Sequence, residues 1–511
     1  MQIFASLFFV TLILGSATTH ALISKIFNRD AKIAIIGAGP AGLATAALLK
    51  QNGYNDVTIY ERSARAFGKV RTEKIGTSVV EMGPIQVGIG HIYTSYWLEK
   101  LGLNTFEPHN AFILRKGSSE HSHVKLTSAQ EYFPLGQRIE IMQEAWRFSN
   151  IIQEFNEHYP QLKDIPESSD YRLSFLAFSK KHNLPYFLNM YSIYTSAYGY
   201  GIVSEIPAFT VLRTFGASFG LVAWLYAGMN LKMIKEGFSG LMQALVDHHA
   251  LADKIKYNQN ISSILRIPGR PVIITSNNED KHYDYLIVAC PIDKIFNAYD
   301  KASQEEKESY ENLYYSPYHV FVADVDDLPR GGFVLPEKFN RHGTLQMLSK
   351  NSEQGDQVVF YIPQLSSVRA KDMLENKVNL PKLADSINAA RRDLEELGFH
   401  MGKIYHGVEW NQYNPHFLNP QFYGHGDSIQ GHNKTFYVGT MWTEIDYVDK
   451  AFAHAHKITS QFFDGAYDQP EQNLSHIARW YLGAEDNYTN DQKNRSLDQW
   501  DLTFQQWWAD K

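Results

Sequence analysis

The stretch Lys32–Glu61, KIAIIGAGPAGLATAALLKQNGYNDVTIYE, sets three glycines within six residues between two apolar runs and then ends on an acid. Lys32 to Ile36 reads as a buried strand, Ala41 to Gln51 as a helix and Val57 to Tyr60 as a second strand, together one βαβ unit. Gly37, Gly39 and Gly42 satisfy G-x-G-x-x-G in the turn that opens the helix. The first allows the tight turn, the second lets a pyrophosphate approach the backbone, and the third lets helix and strand pack closely. Pro40 and Ala41 complete that turn, and an anion placed there meets the free N–H groups and the macrodipole of the helix start. Glu61, nineteen residues beyond Gly42, is placed to accept hydrogen bonds from ribose hydroxyls. The unit therefore predicts a dinucleotide site.

Length and composition bound the rest. A chain of 511 residues exceeds one compact core and divides into two or three domains. A net charge of -7, with 44% hydrophobic and 20% charged residues, is ordinary for a globular protein and gives no nucleic-acid footprint. The excess of aromatics, 30 Tyr, 30 Phe and 9 Trp, fits either bulky cores or an apolar binding tunnel. The single cysteine, Cys290, excludes an internal disulfide, and with no His or acid motif beside it reads as a packing residue. The opening apolar run Ile3 to Leu14, followed by Thr19-His20-Ala21, reads as a cleaved export signal over residues 1–21. Its start lacks Lys and Arg, which leaves an uncleaved anchor as the alternative. A second charge-free run, Thr214 to Leu231, carries three glycines inside the chain and reads as a buried segment rather than a membrane span.

The apolar runs after residue 235 come in separated clusters, GFSGLMQALVDHH as a helix, then IKYNQNISSILRI, PVIITSN and YDYLIVACP as strands. This suits a discontinuous nucleotide domain over 31–100, 235–300 and 405–465, interrupted by a substrate domain over 101–234 and 301–404. The polar, Trp-bearing tail 466–511 is expected to form a C-terminal helical extension.

The residues that follow Glu61 extend the reading. Arg62, Gly68 and Lys69 in ERSARAFGKVRT, then Gly83 and Pro84 in VEMGPI, and finally Gly439 and Thr440 in KTFYVGTMWTEIDYVDKAFAHAHKITSQFF resemble motifs of the flavin amine oxidase superfamily in the order that family has them. GFSGLMQALVDHHALADKIKYNQNISSI resembles the helix and strand whose backbone, near Ile261, holds the adenine. Within that superfamily the tokens TSAYGYG, EIPAFTVLR and WNQYNPHF are most similar to linoleate isomerase and polyenoic fatty acid isomerases. The resemblance implies FAD as cofactor and an α/β fold. A Rossmann-type, glutathione-reductase-like FAD domain carries an inserted α+β substrate domain in an amine-oxidase-like arrangement. Two positions depart from the pattern. Phe67-Gly68-Lys69 stands where Gly-Gly-Lys is usual, and Thr440 stands where an acid usually follows the glycine.

In such enzymes a hydride leaves a substrate carbon for the flavin, while the protein orients and excludes water. The substrate partner is expected to be a small apolar molecule, a fatty acid or an amine, in a pocket lined by Tyr198, Tyr200, Trp224 and Trp442. Arg115 and Arg213 are the candidate anchors for a fatty-acid carboxylate. Double-bond isomerisation of a polyunsaturated fatty acid, amine oxidation with peroxide release, and non-catalytic FAD or lipid binding stand as three readings. No metal is expected, because the histidine groups at 120–123, 248–249 and 454–456 match no ligand spacing. No nucleic acid and no membrane span after signal cleavage are expected either. The GASFG stretch at Gly216 to Gly220 satisfies the form of a serine nucleophile elbow without the oxyanion motif that should precede it.

Overall fold

The computed structural model describes residues 25–88, 91–108, 111–114, 123–126, 135–216, 231–335, 338, 341–365, 367–413, 420, 426–443, 445–468 and 470. The stretch expected to be an export signal, Arg115, Ser218, Trp224 and nearly all of the expected C-terminal helical extension lie outside the described residues.

The first layer is a parallel sheet of β1 (Ile33–Ile36), β2 (Val57–Tyr60), β3 (Ile255–Lys256), β4 (Tyr285–Val288) and β5 (Thr435–Tyr437), in the spatial order β5-β4-β1-β2-β3. Ile33 pairs with Val57 on one side and Tyr285 on the other, so β1 is central. Its four residues are all buried because both faces are covered, which is why IAII shows no alternation. Ile33 and Ile35 point into one core with Val57, Ile59, Ile287 and Phe436. Ala34 and Ile36 point into another with Tyr60, Leu286, Val288 and Tyr437.

On the first face lie α1 (Pro40–Gln51), α2 (Gly237–His248) and α3 (Val448–Phe462). Every residue of α1 from Ala41 to Leu49 is buried, and its alanines at 41, 44, 46 and 47 let neighbouring elements come close. An antiparallel three-stranded sheet, Ile261–Leu265, Val272–Ser276 and Glu279–Tyr283, connects β3 to β4. The chain leaves β1 toward β2 and returns on the other side as β4, so the crevice beyond the carboxyl ends of these strands is the place for a ligand.

The second body is built from two separate stretches. Strands Ala111–Leu114 and Gly331–Val334 pair in parallel and join Met347–Lys350, Val358–Pro363 and Tyr314–Val325 in an eight-stranded sheet. One face packs on helix Leu383–Glu395, the other on Val80, Met82 and Ile85 of the nucleotide domain. Helices Leu135–His158, Phe175–Lys181, Pro185–Ala197 and Ala208–Gly216 gather around an aromatic core that includes Phe148, Phe155, Phe175 and Phe178. One expected boundary shifts: strand Met401–Tyr413 runs antiparallel to Tyr314–Val325 inside the second sheet, so 405–413 belong to the substrate domain. The last nucleotide-domain segment begins after it. Among the described residues no helix is long and apolar enough to cross a membrane.

Candidate FAD site

The turn after β1 is fixed by backbone. Gly37 N–H donates to Tyr60 O at 2.8 Å, and a Cβ on Gly42 would stand 2.0 Å from Gly37 O, so position 42 admits only hydrogen. Gly39 is different, since a Cβ there would meet nothing closer than Gly68 Cα at 3.9 Å. Protein packing therefore does not demand Gly39, and the space between two facing glycines is a cradle that a side chain would fill. Pro40 stands at the first position of α1, and its N-cap Gly39 offers no side-chain bond to the helix start. Those N–H groups and the positive end of the helix are available to an anion. Glu61 accepts Ala38 N–H at 3.0 Å and Ser63 N–H at 2.7 Å, which ties the acid to the turn. Arg62 beside it is exposed. Gln259 N–H and Asn258 N–H donate to Glu61 O and Ser63 O, bringing the start of the Ile261 strand against the acid.

The second loop closes on the first. Phe67 N–H donates to Ala38 O at 2.7 Å, and Gly68 faces Gly39, so the backbone approach survives the departure from Gly-Gly-Lys. Phe67 itself adopts φ 82°, the left-handed region, with its ring packed on the nucleotide-domain core. A Cβ on Gly83 would stand 2.2 Å from Lys69 O, and Met82 N–H donates to Arg71 O at 2.8 Å. The 82–84 segment, with half-buried Pro84, thus rides directly on this loop.

The third piece comes from the far end of the chain. Gly439, beyond β5, lies against α1, where its Cβ would sit 3.6 Å from Ala41 Cβ. Its N–H donates to Nδ1 of His454 on α3 at 3.1 Å. Burial holds His454 down at about 3, so Nδ1 is an acceptor at neutral pH. Thr440 Oγ1 donates to Asp446 Oδ1 at 2.7 Å, and the other carboxylate oxygen pairs with the Lys69 ammonium. Tyr200 donates its hydroxyl to Asp446 O at 3.1 Å. Sequence reasoning singled out Lys69, Thr440 and Tyr200 separately and missed Asp446, on which all three converge. An acid six residues after Thr440 matches no known spacing, and only the fold brings it back.

The remaining residues divide. Tyr198 donates to Gln86 Oε1 at 3.1 Å and joins the wall formed by Val80, Met82, Ile85, Tyr318 and Tyr361. Trp442 stands edge-on to Tyr437, centroids 5.4 Å apart, and packs on the opposite core of the nucleotide sheet. The structure thus groups Tyr198 and Tyr200 with the cofactor loops and sets Trp442 among packing residues. Arg213 grips the end of helix Leu135–His158, donating to Asn156 Oδ1, Tyr159 O and Pro160 O at 3.2, 2.8 and 3.1 Å. That geometry gives it a structural task instead of the expected anchoring one. Cys290 is pushed up to about 12 by burial, a thiol and not a thiolate. Glu81, also missed, caps the start of α2 by accepting Phe238 N–H at 2.6 Å and Thr72 Oγ1–H at 3.0 Å, yet burial raises it to about 8. Among the described residues no group of three or more His, Cys, Asp or Glu could hold a metal ion.

Comparison with known proteins agrees with this geometry. The fatty acid isomerase from P. acnes that produces CLA superimposes with a TM-score of 0.71 at 21% identity, over 86% of this chain and all of that one. Cyclohexylamine oxidase from Brevibacterium oxydans IH-35A gives 0.62 at 14% identity, over 84% of this chain and 99% of that one. At these identities the likeness establishes the fold. A tryptophan 2-monooxygenase of Agrobacterium tumefaciens (strain Ach5) is 38% identical over 80 residues, which is 15% of this chain and 11% of that enzyme. The family model for flavin containing amine oxidoreductase matches residues 40–332, more than half the chain. With the pyrophosphate cradle, the acid at Glu61 and the closing loop at Gly439 all present, the cofactor is FAD, and the chain belongs to the flavin containing amine oxidoreductase family as an FAD-dependent enzyme.

Proposed function

We propose that the chain isomerises a polyunsaturated fatty acid, moving a double bond into conjugation. The observation that carries this reading is the uncharged wall beside the 81–86 segment. Burial pushes Tyr198 up to about 12 and puts Tyr318 and Tyr361 well above the ordinary phenol range. Burial likewise lowers His91 and raises Glu81 to about 8. At neutral pH these side chains are neutral or largely so, and apolar residues such as Val80, Met82, Ile85 and Met347 pack with the three tyrosines.

Bound FAD supplies a group that takes a hydride from carbon and can return it. A bis-allylic carbon yields its hydride without a base, because the cation left behind is delocalised over two double bonds. A wall of neutral phenols and aliphatic groups neither deprotonates the substrate nor admits water to trap the cation. Return of the hydride to a terminal carbon of the same cation gives the conjugated product with no net oxidation. The fold shared with the P. acnes isomerase supports the reading. The alternative, an amine oxidase, draws on the family description and on the likeness to cyclohexylamine oxidase.

The two are separated with linoleate deuterated at its bis-allylic carbon. An isomerase transfers the label to a new carbon of the product without consuming oxygen. Stoichiometric peroxide release with an amine, and no conjugated diene from linoleate, would establish the oxidase.

A further inference from the structure

We infer that Thr440 and Asp446 act as one unit, an acceptor relay for a hydroxyl of the bound FAD, with Asp446 as its positioning residue. This rests on FAD as the cofactor and not on which substrate the enzyme takes. The family pattern leads to a carboxylate directly after Gly439, where its oxygens would accept a hydrogen bond, and Thr440 stands there instead. A free threonine hydroxyl can donate or accept, and beside a phosphate it would donate.

Thr440 is not free in that sense. Its Oγ1 lies 2.7 Å from Asp446 Oδ1, and a carboxylate can only accept, so the hydroxyl proton is committed to Asp446. What Oγ1 retains is lone pairs, and among the described residues nothing donates to them. A hydroxyl that donates to a carboxylate is polarised and accepts more strongly in turn. Thr440 is buried, at 8% exposure, and directly follows Gly439, which lies against Ala41 of the cradle helix, so the residue belongs to the cradle wall. The partner that matches such an oxygen is a donor, a ribityl or ribose hydroxyl, and not a phosphate oxygen.

One further contact makes the carboxylate tolerable there, and another holds the residue's backbone. The Asp446 side chain is only 6% exposed, and a lone buried carboxylate near a pyrophosphate would be costly. The Lys69 ammonium neutralises it from the loop that carries Gly68. From the TSAYGYG segment, Tyr200 fixes the same residue through its main-chain carbonyl. One residue thus braces the two cofactor loops and the TSAYGYG segment, and two residues six apart supply the acceptor that a single acid would.

The test is the FAD dissociation constant of the full chain, read from the fluorescence of flavin released when the holoenzyme is diluted. Thr440→Val and Asp446→Ala each weaken binding about tenfold, the loss of one hydrogen bond in a charge-assisted chain. Thr440→Ser, which keeps the hydroxyl, stays within about twofold of the wild type. The double variant binds nearly as well as the weaker single, because the two share one interaction. Asp446→Asn, which keeps the shape, takes the place of Asp446→Ala in the cycle if the latter does not fold. Losses that multiply to about a hundredfold in the double variant, or a Thr440→Val protein that binds FAD as tightly as the wild type, would overturn the relay.

Discussion

Phe67 holds a backbone φ of 82° that costs an L-residue with a Cβ about 1–2 kcal/mol relative to glycine, and its ring offsets this by packing on the nucleotide-domain core. Truncation separates the two effects. Phe67→Ala loses the ring and keeps the strain, whereas Phe67→Gly loses both. Phe67→Gly should therefore be the more stable of the pair by about 1 kcal/mol, measured as a difference in urea midpoint at equal m-value. An alanine variant as stable as the glycine variant would mean that the loop relaxes out of the left-handed region. The same comparison of residues shows what the sequence could reveal. Gly42 was legible because its requirement is local: the carbonyl that excludes a Cβ belongs to Gly37, five residues away in the same turn. Asp446 was not, because its partners Lys69 and Tyr200 lie 377 and 246 positions away and no spacing encodes them. Trp442 shows a different limit, since an aromatic near a cofactor loop looks the same in sequence whether it faces a pocket or a core.

Helix α3 ties the closing loop to the sheet through a titratable group. His454 Nδ1 accepts Gly439 N–H only when unprotonated, and burial, aided by Lys457 and opposed by Asp427, holds the ring at about 3. In the unfolded chain the same ring titrates near 6.5. As pH falls below about 6.5 the unfolded state takes up a proton that the folded state refuses, so stability is lost progressively toward about pH 3. The loss from this group alone is about 2 kcal/mol at pH 5. Glu81 works in the opposite sense, because a folded value of about 8 makes stability rise as pH falls below it. That contribution is common to wild type and variant and cancels in their comparison. His454→Asn places an amide oxygen near the Nδ1 position and does not titrate, so it should lose about 2 kcal/mol less than wild type between pH 7 and pH 5 in urea unfolding. Equal losses would show that the ring does not stay neutral in the fold. Among the elements, β1, α1 and β2 were readable from two apolar runs and the glycine turn between them. Strand Met401–Tyr413 was not, because KIYHGVEWNQY is polar and half exposed, and its place is set by pairing with Tyr314–Val325 and not by its own pattern.

Across the whole molecule, the 78–82 stretch is the seam between the two bodies. Trp410 Nε1 donates to Met82 O at 2.5 Å, Tyr361 Oη to Glu81 O at 2.9 Å, and Val79 N–H to Ser352 Oγ at 2.9 Å. Each bond joins the large sheet or the loop after its strand Met347–Lys350 to the backbone that leads into the 82–84 cofactor segment. Trp410→Phe keeps most of the ring and leaves the Met82 carbonyl without this donor, a cost of about 1–3 kcal/mol. Flavin release and loss of tertiary circular dichroism should then move to lower urea together, because one segment serves both bodies. A circular dichroism shift with flavin release unmoved would mean that the seam does not transmit to the cofactor loops. The sheet order carries a consequence for how the protein is made. The glycine turn follows the first strand, but its neighbour Gly439 follows the last, 402 positions later. At roughly 5–20 residues per second, a ribosome needs about 20–80 s to travel from one to the other. Throughout that interval the emerging chain carries half of a flavin cradle, and β4, once made, lacks its outer neighbour until β5 follows. Cofactor loading is therefore a late event in the life of each molecule, and a prematurely terminated copy would contain the dinucleotide motif yet leave the ribosome colourless.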